Sequence, residues 1–322
     1  MINTVTGAIQ STQLGKTLIH EHIQFGYPGF QGDQTIGKWD RAKAMEAIRP
    51  HIEGAKANGV QSIVDATPNE CGRDAGFLKE VSEELGIQIV CSTGFYYEGE
   101  GGTAYYKFRS AFTDIVEEIF EMMMHEITIG IGDTGVKAGV IKLATSKDII
   151  TDYEKAFFTA GARAAIATNT PIITHTQEGT MGPDQAKLLT ELGVNPNKIM
   201  IGHMGGSMDI DYHLATFKHG VRVAFDRCGL QMLGGMPMDT ERIDLFSRLV
   251  KKGFGDRLHL SHDFILNMLG RPIPEVPELG PVLANYHLGN IFENIIPGLL
   301  EKGISMEQVN KVLIDNPRSL FE

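Results

Sequence analysis

The chain has 322 residues, a formal net charge of −11, an isoelectric point near 5.5 and 42% hydrophobic residues. That length allows one large barrel or two ordinary domains, and the apolar content is that of a globular protein with a sizeable core. The acidic excess, with no Lys/Arg-rich block, argues against a nucleic-acid or anionic-membrane surface. The three cysteines, Cys71, Cys91 and Cys228, are odd in number and widely spaced. They fit a reducing compartment and not a disulfide framework. No signal peptide is visible and no apolar run approaches a membrane span, so a cytoplasmic protein is the expectation.

Short apolar runs alternate with longer amphipathic segments. The predicted strands cover 17–21, 61–65, 87–92, 139–143, 171–175, 198–202, 221–225 and 257–261. The clearest predicted helices cover 40–58, 73–85, 110–127, 152–168, 184–193, 208–219 and 239–252. Asp40, Thr151 and Asp239 are read as N-caps, and Gly59, Gly86, Gly193, Gly220 and Gly253 as helix ends. Eight such units with nearly continuous apolar strands predict an α/β fold, a (β/α)8 TIM barrel, over a single domain 1–322 with no linker. Residues 291–321 are expected to add two or three C-terminal helices. The stretches 94–109 and 262–290, the second carrying Pro272, Pro274, Pro277 and Pro281, are too long for simple connections and read as binding walls or lids.

The run Lys16-Thr-Leu-Ile-His-Glu-His-Ile23 places two histidines at i and i+2. On a strand, His20 and His22 leave the same face and can grip one metal ion. The plain alternative is a chance pair on a half-exposed strand. The remaining strand ends decide between them: Asp65, Ser92 and Thr93, Lys142, His175, His203, Asp226 with Arg227, and Asp263. Active sites of such barrels lie at that face, so four histidines, a lysine and an aspartate converge on one cavity. Singly, His175 reads as a satisfied core histidine, His203 as a loop hydrogen-bonder among glycines and Asp263 as a cap.

Lys142 sits in the apolar run Ala138-Gly-Val-Ile-Lys-Leu-Ala-Thr145, where an ammonium is desolvated. It either pairs with Asp65 or Asp263, or reacts as a neutral amine with carbon dioxide. The carbamate so formed is an anionic ligand able to bridge two metal ions. Imidazole and carboxylate ligands suit zinc, manganese, iron or cobalt, and two such ions can hold a bridging hydroxide at neutral pH.

These positions, together with the stretch 129–142 and the ending Asn316-Pro-Arg-Ser-Leu-Phe321, resemble the phosphotriesterase branch of the amidohydrolase superfamily along essentially the whole chain. The resemblance implies a binuclear centre. His20, His22 and Asp263 would hold the more buried ion and His175 and His203 the more exposed one. Carbamylated Lys142 and a hydroxide would bridge both. Asp226-Arg-Cys-Gly-Leu230, Ser261-His-Asp263 and Tyr96 are closest to the phosphotriesterase-like lactonases. Tyr96 would orient the hydroxide or a substrate carbonyl, or simply pack in its loop. Arg227 would bind a substrate oxygen or position the seventh loop, or pair with a neighbouring acid. Asp263 would be the general base.

The sequence departs from the family after His203, where Met-Gly-Gly-Ser-Met-Asp209 lacks the acidic proton relay. Asp209 either substitutes for it or caps a helix. The eighth loop, from Phe264, matches no familiar lactonase loop. Glu98 and Glu100 would add negative charge at the entrance. The expected activity is therefore metal-dependent hydrolysis of a lactone or carboxylic ester with two divalent ions, zinc foremost, in a homodimer. Organophosphate triester hydrolysis is the alternative chemistry, and a non-catalytic metal-binding barrel the alternative of another class.

Overall fold

In the computed structural model, residues 1–274 and 276–322 are described. A short antiparallel hairpin, β1 (Ile2–Thr4) and β2 (Gly7–Ile9), precedes the barrel. Eight parallel strands follow: β3 (Thr17–Glu21), β4 (Ser62–Asp65), β5 (Gln88–Gly94), β6 (Val140–Thr145), β7 (Ile172–Thr176), β8 (Ile199–Ile201), β9 (Arg222–Phe225) and β10 (Leu258–Leu260). Each pairs with its neighbour in chain order. The barrel closes between β10 and β3, where Asp263 N donates to His20 O at 3.1 Å and His22 bridges to Ile265.

The outer helices are α1 (Arg41–Ala57), α2 (Ala75–Leu85), α3 (Ala104–Arg109), α4 (Ile115–Thr128), α5 (Asp152–Thr168), α6 (Gly182–Glu191), α7 (Ile210–Phe217) and α8 (Asp239–Leu249). The stretch 262–290 holds the single-turn α9 (Gly280–Leu283), and α10 (Ile296–Glu301), α11 (Met306–Asn310) and α12 (Asn316–Phe321) complete the chain. The expected (β/α)8 barrel with C-terminal helices is thus present. The N-terminal hairpin adds to the expected elements, because its three-residue strands carry too little alternation to show in the sequence. The expected helix 110–127 begins only at Ile115, and α3 forms inside the stretch read as a long loop.

Asp40 caps α1 by accepting from Ala42 N and Lys43 N, and Thr151 caps α5 in a capping box with Glu154. Asp239 is not a cap. Met238 holds that position, and the Asp239 carboxylate turns inward to accept from Gly229 N, Arg242 and Asn290. It thereby anchors the loop after β9. Asp209 caps α7, accepting from Asp211 N.

Alternation along the strands sets which side chains enter the barrel. Val140 and Ile173 belong to the interior cluster, whereas Ile141 and Leu143 pack toward the helices. Lys142 and His175, each two residues beyond an interior residue, therefore face the axis. Strand β3 breaks this parity. Leu18 packs outward and Ile19 inward, and the register with β4 shifts between Leu18 and Glu21. The irregularity turns His20 and His22 inward and Glu21 outward, as bulges beside active sites do. Leu14, Leu320 and Phe321 join the interior cluster at the opposite end.

Candidate metal centre

All six sequence-derived ligand residues meet at the C-terminal end of the barrel. Lys142 Nζ lies 2.8 Å from His20 Nε2. Asp263 Oδ1 lies 3.0 Å from His22 Nε2 and 3.5 Å from His20 Nε2, and Asp263 Oδ2 lies 3.7 Å from His203 Nε2. The His203 ring centroid is 4.5 Å from that of His175 and 4.8 Å from that of His20. The four histidines and Lys142 are buried. Lys142 forms an ion pair with neither Asp65 nor Asp263. Among the described residues no carboxylate lies within pairing distance of it, and Asp65 instead accepts from Ile23 N and Thr67 N.

The hydrogen bonds fix which ring nitrogen each histidine has free. Asp226 accepts from His20 Nδ1 at 2.6 Å and from His203 Nδ1 at 3.0 Å, and also from His203 N at 2.6 Å. Thr67 donates its one hydroxyl proton to Gln24 O, so at 2.8 Å it must accept from His22 Nδ1. Those three rings keep an Nε2 lone pair. His175 is the reverse: Nε2 donates to Gln177 Oε1 at 2.7 Å, which frees Nδ1. Such outer partners orient metal-ligating imidazoles and set their tautomers. A metal-ligand bond to nitrogen is about 2.0–2.1 Å, so the His20–Asp226–His203 cluster is a hydrogen-bonded clamp and not a second ion site. His20, His22 and Asp263 present ligand atoms all within 4.8 Å of one another. Neutral imidazoles, a carboxylate and an amine that can become a carbamate form a donor set that fits two divalent ions.

The electrostatics agree. Burial pushes the Lys142 amine down to about 8, although Asp263 and Asp226 resist the shift. Burial, with Arg227 nearby, takes His203 down to about 3 and His175 well below the usual imidazole range. Burial alone would raise the Asp263 carboxyl, but the Arg227 guanidinium on its Oδ2 holds the acid well below the usual carboxylate range.

Two of the six candidate residues adopt left-handed backbone: His203 at φ 56° and Asp263 at φ 56°. Non-glycine residues enter that region at a cost and tend to do so at functional sites. Gly202 lets the chain turn there, since a Cβ on it would lie 2.0 Å from Thr174 O. Glu21 pins the Asp263 turn. It accepts from Ser261 Oγ at 2.8 Å, from His262 N and Nδ1 at 3.0 and 2.8 Å, and from Phe264 N at 2.8 Å.

Of the outer residues, Arg227 Nε pairs with Asp263 Oδ2 at 2.9 Å, the neighbouring-acid reading. Tyr96 packs edge-on to His175 at 4.9 Å between ring centroids, and Tyr97 stacks on the same imidazole at 5.4 Å. Burial raises the Tyr96 phenol, so it stays a proton donor. Glu98 does not leave free charge at the entrance, because Lys107 pairs with it at 2.6 Å. Glu21, Thr67 and Gln177 were missed as functional residues. Thr67 and Gln177 carried one signal: each lies two residues beyond a strand-end polar residue.

A parallel eight-stranded barrel with this set of buried donors at its C-terminal face fits a metal-dependent hydrolase, and its relatives place it among enzymes that hydrolyse esters. The chain belongs to the Phosphotriesterase family, whose profile matches residues 1–321. It is similar to the aryldialkylphosphatase of Saccharolobus solfataricus, 33% identical over 98% of this chain and 97% of that one. Among solved structures it is similar to the organophosphorus hydrolase from Deinococcus radiodurans, at 52% identity and TM-score 0.98 over 100% of this chain and 96% of that one. A further similar structure comes from molecular engineering of organophosphate hydrolysis activity from a weak promiscuous lactonase template. It is 50% identical with TM-score 0.98, covering 100% of both chains. Among the described residues no helix is long and apolar enough to cross a membrane.

Proposed function

We propose that this chain hydrolyses a lactone or carboxylic ester with two divalent metal ions, zinc foremost, held by His20, His22, Asp263, His175, His203 and carbamylated Lys142. The observation that carries the reading is the direction of the lone pairs: three Nε2 atoms and one Nδ1 are left free by Asp226, Thr67 and Gln177. Bound there, the ions would polarise the substrate's carbonyl oxygen and activate a water at neutral pH. Lys142 acts as a neutral amine that adds to carbon dioxide and releases one proton, leaving an anionic carbamate. The ionised Asp263 carboxylate takes the water's proton, and Arg227 on its Oδ2 holds it in position. The Tyr96 phenol donates to the substrate oxygen that gains charge.

Replacing Asp263 by Asn tests the proton-transfer role. Turnover should fall sharply with metal content unchanged, and full activity in that variant refutes it. A panel of aliphatic lactones, carboxylic esters and an aryl phosphotriester on metal-loaded enzyme tests the substrate class. The second reading, organophosphate triester hydrolysis, is favoured by the similarity to organophosphorus hydrolases. Higher kcat/KM on the phosphotriester than on every lactone and ester establishes it over the first.

A further inference from the structure

At the N-terminal end of the barrel, opposite the metal centre, a cavity of about 410 Å³ opens where β9 and β10 begin, beside the start of α12. Four cations line it: Arg222, Arg257, Lys311 and Arg318. Among the described residues only Arg318 has an ion-pair partner, Glu322 at 3.1 Å.

Arg222 is the buried member, 6% exposed. It opens β9 and shares the inward parity of Ala224, an interior residue. Two of its three nitrogens are occupied by backbone. Nε donates to Asn197 O at 2.9 Å, and Nη1 donates to Asp256 O at 3.3 Å and Asn316 O at 3.4 Å. Nη2 has no partner among the described residues, yet it is not sealed from solvent as the orphaned polar atoms of the core are. The other two unpaired cations are close. Arg257 Nη1 would lie 3.6 Å from a Cβ on Gly220, two residues before Arg222. Burial first, and the Arg257 charge second, pull the Arg222 guanidinium down to about 10. Lys311 stands one turn before Asn316, which ties the two segments together by donating to Gly255 O at 2.8 Å and Leu258 O at 2.7 Å.

A buried guanidinium without a counter-ion is costly. Here the chain carries a net charge of −11, and three cations at one cavity still find no acid. Asp256 and Asp315 also line it, but both are exposed and neither pairs with these cations. Their charge disfavours a weak, singly charged anion. A phosphoryl dianion has twice the charge of a carboxylate and three oxygens, one for each unpaired cation, and it suits the guanidinium fork. The volume leaves room for an organic group beside it.

We propose that this cavity is a phosphate site remote from the metal centre, where Arg222 Nη2, Arg257 and Lys311 hold the oxygens of a small phosphate, free or as the head of a monoester. The hydrolytic reading uses none of these residues, so the two stand or fall separately.

The metal-loaded full chain is titrated by calorimetry at pH 8, where phosphate is dianionic. Inorganic phosphate and glycerol 3-phosphate are compared at constant ionic strength. Arg222 also holds three backbone carbonyls, so the variants are Arg257→Gln and Lys311→Gln, which break no hydrogen bond among the described residues. Each should weaken a saturable binding event about tenfold, the effect of one charged hydrogen bond. The tighter of the two probes assigns the free ion or the monoester. Phosphate held only at the metal centre would be indifferent to both variants. An isotherm shared by the parent and both variants, no binding, or acetate bound as tightly as phosphate overturns the proposal.

Discussion

The Asp226 carboxylate stands 2.6 Å from His20 Nδ1, and its other oxygen reaches His203 Nδ1 at 3.0 Å. One side chain on β9's end therefore orients imidazoles contributed by β3 and β8. Burial alone would raise this acid, but the two histidines outweigh it and hold it well below the usual carboxylate range.

Asp226→Asn keeps the shape and removes one of the two acceptors, so one imidazole loses its Nδ1 partner and its preferred tautomer. Loss of such an outer partner costs about 10- to 100-fold in metal affinity or activity. The variant should show that loss in metal titrations and in turnover at limiting metal, with a circular dichroism spectrum like the parent's. Unchanged metal affinity would remove Asp226 from the centre.

The strand-end residues were legible because period-two alternation and the C-terminal face of a barrel locate them without coordinates. What they touch was not. Asp226 was visible only as a strand end, since its partners come from β3 and β8. Glu21 stood in plain view between His20 and His22, yet its partners, Ser261, His262 and Phe264, lie some 240 residues away. Asp239 looked like a cap because aspartate suits that role, but its carboxylate serves the Gly229 backbone and Arg242 instead. The β3 bulge was invisible too: alternation relates His20 to His22 and says nothing of which side they take relative to Leu18.

Glu21→Gln should test that hidden anchor. The amide keeps one acceptor but turns an NH₂ group toward donors that need an oxygen. A buried charged acceptor lost in this way costs about 2–3 kcal/mol. Denaturant unfolding should show a drop of that order, and turnover should fall with it because Asp263 rides on the same turn. A stable variant with parental turnover contradicts the anchoring role.

Lys142 must be neutral to add to carbon dioxide. Burial lowers its amine to about 8, so the reactive fraction rises as pH climbs through that value. Reconstitution of metal-stripped protein at fixed dissolved carbon dioxide should accelerate from pH 6 to pH 8. It should slow in carbon-dioxide-depleted buffer, and a carbamate carbon should appear by ¹³C NMR when labelled bicarbonate is supplied. Lys142→Met should lack that signal. Reconstitution indifferent to bicarbonate, without a carbamate resonance, rejects the bridging ligand.

Glu70 provides the pH test of stability. Its Oε1 accepts from Tyr96 N at 2.7 Å, Oε2 has no partner among the described residues, and burial raises the acid to about 7. The folded protein therefore binds this proton more tightly than the unfolded chain does. The associated stability is complete below the unfolded value near 4.5 and is lost as pH rises to about 7. At pH 8 the ionised carboxylate is a net burden, discounted to about 1–2 kcal/mol for partial solvent contact. Glu70→Gln removes the charge while retaining an acceptor for Tyr96 N. Its melting temperature should exceed the parent's at pH 8 and match it at pH 5. An equal offset at both pH values means that the carboxylate is already ionised across the range and that Glu70 holds the Tyr96 segment by shape alone.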